Sequence, residues 1–173
     1  MYSVHAYYLA FITERFLCTW FYPVVVTLTS FYFFEFEADT VPDMLLYMAS
    51  LAASSYSGMI YGFMIGCFLH WQDMAYLFLW LSIMIFNFGA GFFANTGSGA
   101  NWFVTGLSYF SPFRYSAEIQ LRRVTQGRPF QEQILEHFGY TYGLIDCFIF
   151  MAGFCVLCFF AGWIILYLKN RNV

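Results

Sequence analysis

Few side chains in this 173-residue sequence could take part in covalent or acid–base chemistry. The three histidines, His5, His70 and His137, are far apart, with no HExxH run and no carboxylate at ligand spacing, so no metal site is expected. Lys169 is the single lysine and is followed by Asn170, which excludes the GxxxxGK[ST] loop that cradles nucleotide phosphates. The chain cannot hydrolyse ATP by itself. Cys155 and Cys158 form a CxxC inside an apolar run with no histidine nearby. Redox or metal chemistry needs a partly exposed thiolate, so these cysteines read as small packing residues. Cys18, Cys67 and Cys147 also lie in or beside apolar runs, and no GxSxG elbow surrounds any serine. No catalytic residue and no resident cofactor is expected.

The elements that carry these residues belong in lipid. The sequence is 61% hydrophobic and 10% charged, whereas a soluble domain is about a quarter charged. A spanning helix needs roughly 20 mainly apolar residues. The uncharged runs predict an all-α polytopic membrane protein with spans at about 7–34, 44–69, 74–94 and 144–168, and a loop at 96–143. A barrel would alternate polar and apolar residues in segments of about ten, and these runs do not. The small negative net charge offers nothing to nucleic acid. The start lacks the basic n-region and small-residue cleavage site of a signal peptide.

Within span one, Glu14 and Arg15 are expected near an aqueous face, because charge deep in lipid is costly, and Pro23 is expected to kink the helix. In span two, Ser54, Gly58, Gly62 and Gly66 recur every four residues. Small residues at that spacing form a stripe that lets helices approach closely in lipid. In span three, the mid-membrane amide of Asn87 should face protein or a cavity. The loop at 96–143 mixes Trp102, Ile119 and Leu121 with Glu118, Arg122 and Arg123, which predicts one or two short helices at the interface. Residues 130–138 read as a polar stretch returning to the membrane. The basic tail, Lys169 and Arg171, argues for cytoplasmic termini. The loop's Arg114, Arg122, Arg123 and Arg128 argue the other way.

The order of segments resembles the membrane domain of ABC transporters of the G subfamily, the White/Brown-complex half-transporters. YSVHAYYLA at 2–10 is similar to the tyrosine-rich entry into that family's third helix. GFFAN at 91–95 resembles the end of its fifth helix. Trp102 and LSYFSPFRY at 107–115, completed by Glu118, are similar to its W…YxSPxRYxxE signature, and GRPF at 127–130 falls at its short glycine turn.

The resemblance implies the C-terminal part of a type-2 exporter membrane domain, with both termini cytoplasmic and the outer loop dipping back as re-entrant helices. It implies a substrate cavity lined by Met84 and Asn87, a hydrophobic gate at Phe92 and Phe93, and an outer motif of Ser111, Pro112, Arg114, Tyr115 and Glu118, whose Arg114 and Glu118 brace the re-entrant helices. The implied partners are the lipid bilayer, a second half-transporter, an ATP-binding domain bringing ATP and magnesium, and a hydrophobic substrate such as a lipid or sterol. The family's first two helices, its ATP-binding domain, a proline near Cys18 and the outer-loop cysteines are absent from these residues. A fragment, a truncated gene product or a decayed copy would each account for this. The competing expectation is a four-helix scaffold that assembles through the Ser54/Gly58/Gly62/Gly66 stripe without transporting anything.

Overall fold

A computed structural model describes residues 4–33, 41–91 and 101–171. Seven helices account for nearly all of them: α1 (Val4–Phe33), α2 (Val41–Phe68), α3 (Gln72–Gly89), α4 (Trp102–Phe110), α5 (Pro112–Val124), α6 (Gln131–Phe138) and α7 (Leu144–Arg171). The described residues contain no strand. The protein is an all-α, polytopic membrane protein.

Three helices, α1, α2 and α7, are long and apolar enough to cross a bilayer. The fourth expected span is shorter than its apolar run suggests. With 18 residues, α3 is about 27 Å long, and it stops at Gly89 instead of Ala94. Gly91 then takes φ 91°, a left-handed conformation that turns the chain and that glycine adopts without steric cost.

α2 is the axis of the bundle, with α1 on one flank, α7 on the other and α5 against its first half. The two ends differ. At the loop end, α1 and α3 finish and α2 and α7 begin. At the tail end, Lys169 Nζ reaches Cys67 O at 3.4 Å, and Trp163 Nε1 donates to His5 Nδ1 at 3.1 Å. Small hydroxyl residues replace bulky ones between the helices. Thr27, Ser30, Ser50 and Ser57 are buried, and Ser50 and Ser57 donate to carbonyls of their own helix at 2.8 and 2.7 Å. Large aromatics face outward instead, as lipid allows: Phe21 is 76% exposed and Tyr32 80%.

α5 carries charged and aromatic side chains of the kind that meet headgroups. It packs inside the bundle, with Tyr115 and Ile119 in a core shared with Cys147 and Met151. Residues 130–138 are not merely a polar stretch, because α6 occupies 131–138 and buries Leu135.

The pair Glu14 and Arg15 does not lie at a helix end either. Phe11 stacks on Phe63 at 4.4 Å, and Phe16 meets Tyr56 edge-on at 5.3 Å. Glu14 is therefore level with about Met59, near the middle of the uncharged run of α2. Pro23 is buried within α1, which continues through it as one helix.

The glycine stripe of α2 is open among the described residues. A Cβ added at Gly58 or Gly66 would meet nothing within 4 Å, and one at Gly62 would meet only Leu79 side-chain carbons at 3.7 Å and beyond. The close approach lies elsewhere: a Cβ at Gly162 of α7 would stand 3.4 Å from Met64 Cα. Gly58→Ala is accordingly expected to leave the melting temperature in detergent unchanged or slightly raised, since alanine favours helix by up to about 1 kcal/mol. A clear drop would mean that another molecule packs on the stripe.

Candidate functional site

The chemistry-bearing residues gather where α4 and α5 form a helical hairpin against the ends of α3, α6 and α7. Asn101 starts α4 by accepting the Phe103 amide at 3.2 Å. Ser111 separates the two helices in extended conformation, and Pro112 opens α5 at a position where its missing N–H costs nothing. The hairpin tip reaches well into the bundle, with Phe113 beside Phe86 of α3, which also meets Phe154 of α7.

Side chains of the loop fasten the end of α3. Phe86 O already accepts the Ala90 amide at 2.9 Å, and Ser111 Oγ adds a second bond to it at 2.7 Å. Tyr140 Oη donates to Ala90 O at 2.5 Å, where a helix end leaves carbonyls without a partner in the helix. Burial pushes the Tyr140 phenol up, partly opposed by Arg114, so it keeps the proton that this bond uses. Gly89 lets α4 come close: an added Cβ there would lie 3.1 Å from Leu107 O and 3.2 Å from both Ser108 Cα and Ser111 Cβ.

Around this joint lies a buried charged network. Arg114 is 2% exposed. Its Nη1 donates to Ser108 Oγ of α4, and its Nη2 to Gly139 O, the left-handed cap of α6, at 2.6 Å. The guanidinium also lies 5.0 Å from the Tyr109 ring centroid and 5.9 Å from that of Tyr142.

Glu118 is fully buried. Its Oε1 accepts from Arg122 Nη2 at 2.9 Å and from the Tyr142 amide at 2.7 Å, and Arg122 also donates to Tyr140 O at 3.2 Å. Glu118 Oε2 and Arg114 Nε are buried without a hydrogen-bond partner among the described residues. Tyr115 donates to Tyr109 O at 2.8 Å and stacks on Phe150. The network stitches residues 139–142, just ahead of α7, to both arms of the hairpin. Arg and Glu held this way position structure and present no nucleophile.

All five residues of the predicted outer motif, Ser111, Pro112, Arg114, Tyr115 and Glu118, come together here. Their partners are Ser108, which lies within the LSYFSPFRY segment, and Gly139, Tyr140 and Tyr142, which no motif marked. The glycine at position 139, after the amphipathic stretch 131–138, was the one local signal, since glycine commonly ends a helix.

The two cavity candidates sit on α3, Asn87 in its last turn beside Phe86 and Met84 a turn before it. Met84 is 51% exposed. Asn87 is half-buried and donates from Nδ2 to Ile83 O at 2.9 Å, which leaves its carbonyl free of its own helix. A cleft of about 350 Å³ opens between α2 and α3 at the tail end, lined by Gly62, Gly66, His70, Tyr76 and Leu79 among others. The gate candidates Phe92 and Phe93 lie outside the described residues. Among the described residues, no group of three or more His, Cys, Asp or Glu could hold a metal ion.

Residues 1–122 match the family model described as ABC-2 type transporter. The match takes in α1 to α4 and nearly all of α5, so it ends inside the charged network. No curated protein shows a significant match to the chain.

Proposed function

The chain belongs to the ABC-2 type transporter family, whose membrane domains work with an ATP-binding partner, and from that premise we propose that it serves an ATP-driven exporter of lipids, sterols or similar amphipaths. The match over residues 1–122 carries this reading. It is supported by the G-subfamily resemblance of the SPFRY segment, by the bonds from Ser111 and Tyr140 to the end of α3, and by the way Arg114 and Glu118 tie the hairpin to residues 139–142.

In this proposal two half-transporters pair and each receives ATP hydrolysis from a nucleotide-binding domain. Met84 and Asn87 line the substrate cavity, and Phe92 and Phe93 close it toward the loop end. That end faces outward, with both termini in the cytoplasm. α3, pinned at Phe86 and Ala90, moves together with the hairpin, so closure of the ATP-binding domains reaches the gate as one rigid displacement.

The test is reconstitution of the chain with the P-loop protein that co-purifies with it, in vesicles containing a fluorescent phospholipid or sterol. ATP-dependent movement of the probe across the bilayer is expected. Combined Phe92→Ala and Phe93→Ala is expected to raise ATP-independent leakage several-fold while ATPase activity persists. Absence of any co-purifying ATP-binding protein, or of ATP-dependent movement for every amphipath tried, would sink the reading.

A further inference from the structure

Glu14 occupies a position that a bilayer cannot satisfy. It points away from the bundle on the outward face of α1, among Tyr7, Leu17 and Phe21, each more than half exposed. Among the described residues its carboxyl makes no hydrogen bond and no ion pair. Arg15 does not supply one, because neighbouring residues on a helix do not face each other, and its guanidinium lies 5.4 Å from the Phe11 ring centroid.

The depth of Glu14 follows from the packing of α1. Stacking of Phe11 on Phe63 and of Phe16 on Tyr56 sets Glu14 level with about Met59. Tailward of it, Tyr8 donates to Phe159 O at 2.5 Å and His5 accepts from Trp163. Placing Glu14 at the membrane surface would therefore push the second half of α2 and the apolar stretch of α7 beyond Phe159 into water. The ten residues of α1 before Glu14 add about 15 Å of helix on that side, beyond the reach of a glutamate side chain. A carboxyl facing hydrocarbon leaves polar atoms unpaired whether charged or neutral. Insertion scales put the penalty for a mid-helix acid at roughly 2.5–3.5 kcal/mol, and such residues face protein or a water-filled path.

We infer that the outward face of α1 around Glu14 is the docking surface for a further membrane-spanning helix that carries a lysine or arginine at the same depth. Charge complementarity selects the basic side chain. A helix is the element whose backbone is satisfied within the bilayer at this depth. Glu14, Leu17 and Phe21, at spacings of three and four, form the kind of ridge that a second helix packs against. The surface follows from the bilayer setting and does not depend on what the protein transports.

Cys18, exposed one turn from Glu14 along α1, provides a probe. A nitroxide on Cys18 is introduced in the complex purified from its native membrane and returned to phosphatidylcholine vesicles. Its collision rate with oxygen is expected to be several-fold below that of a nitroxide at Leu157→Cys on the exposed face of α7, and its collision rate with a water-soluble nickel chelate is expected to be low. Because Glu14 bonds nothing among the described residues, Glu14→Lys is expected to keep the helical circular dichroism while restoring lipid-like oxygen access. Glu14→Gln keeps most of the protection.

Oxygen access at Cys18 equal to the control would overturn the inference in favour of lipid. High nickel access would overturn it in favour of a water-filled path. Dipolar broadening between labels on two Cys18 residues would replace the docked helix by a second copy of the chain. An unprotected Cys18 in a complex that still moves lipid with ATP removes the docking surface alone. A protected Cys18 in a complex that moves nothing removes the exporter reading alone.

Discussion

Glu118→Ala is expected to destabilise the chain by about 3–5 kcal/mol, the range found when one partner of a buried ion pair is removed. Glu118 Oε1 is the shared acceptor for Arg122 and for the Tyr142 amide. Its loss leaves an amide unpaired and Arg122, whose side chain is only 25% exposed, without its counter-charge. The segment 139–142 then loses part of its hold on α5. The damage should appear at the loop end, as faster proteolysis between α6 and α7 together with a lower unfolding midpoint in mild detergent.

Glu118→Gln separates charge from geometry. Its amide oxygen still accepts from Tyr142 and Arg122, so it should lose less than half as much. The Arg123–Asp43 pair is the control. It is shorter, at 2.6 Å against 2.9 Å, but both side chains are about a quarter exposed, and Asp43→Asn should cost no more than about 1 kcal/mol. Equal losses for Glu118→Ala and Asp43→Asn would show that burial of the network contributes nothing.

The same residues show what a sequence does and does not disclose about this fold. Helix and lipid are legible because both depend on runs: a stretch such as 147–168 has no charge at all, and nothing but hydrocarbon suits it. The placement of α5 is not legible from composition. Glu118, Arg122 and Arg123 look like headgroup-level charges until Gly139, Tyr140 and Tyr142, more than fifteen positions downstream, are known to meet that helix. Such pairing depends on where two segments come together in space, and no local pattern encodes it.

The glycines of α2 illustrate the opposite failure. Spacing identified a stripe, but a Cβ added at Gly58 or Gly66 would meet nothing within 4 Å among the described residues. The tight contacts belong to Gly162 and Gly89, which sit in no repeat. Periodicity reports that a helix face is smooth and says nothing of what lies on it. Glu14 shows a related limit of the sequence. Insertion cost argued for a shallow position, and only the rings of Phe63 and Tyr56 reveal that α1 continues well past it.

Gly89→Leu is the second large effect. A Cβ at this position would stand 3.1–3.2 Å from the backbone of Leu107 and Ser108 and from Ser111 Cβ, and backbone in a helix cannot rotate away as a flexible side chain can. α4 must move as a unit, and that movement pulls Ser111 off Phe86 O. Overpacking of this kind costs about 1–3 kcal/mol, occasionally more, and the lost hydrogen bond adds to it. Gly89→Ala, which brings only the crowded Cβ, should already lower the unfolding midpoint.

Gly106→Ala in α4 is the matched control. It puts the same methyl on a neighbouring helix where nothing lies within 4 Å, and it should be neutral or mildly stabilising. In the reconstituted complex, Gly89→Ala should also reduce the coupling of ATP hydrolysis to probe movement more than it reduces ATPase activity, because α3 and the hairpin would no longer shift together. If Gly89→Leu and Gly106→Leu melt alike, the hairpin does not lie against α3 as described here, and the rigid link from α3 to the gate has no physical basis.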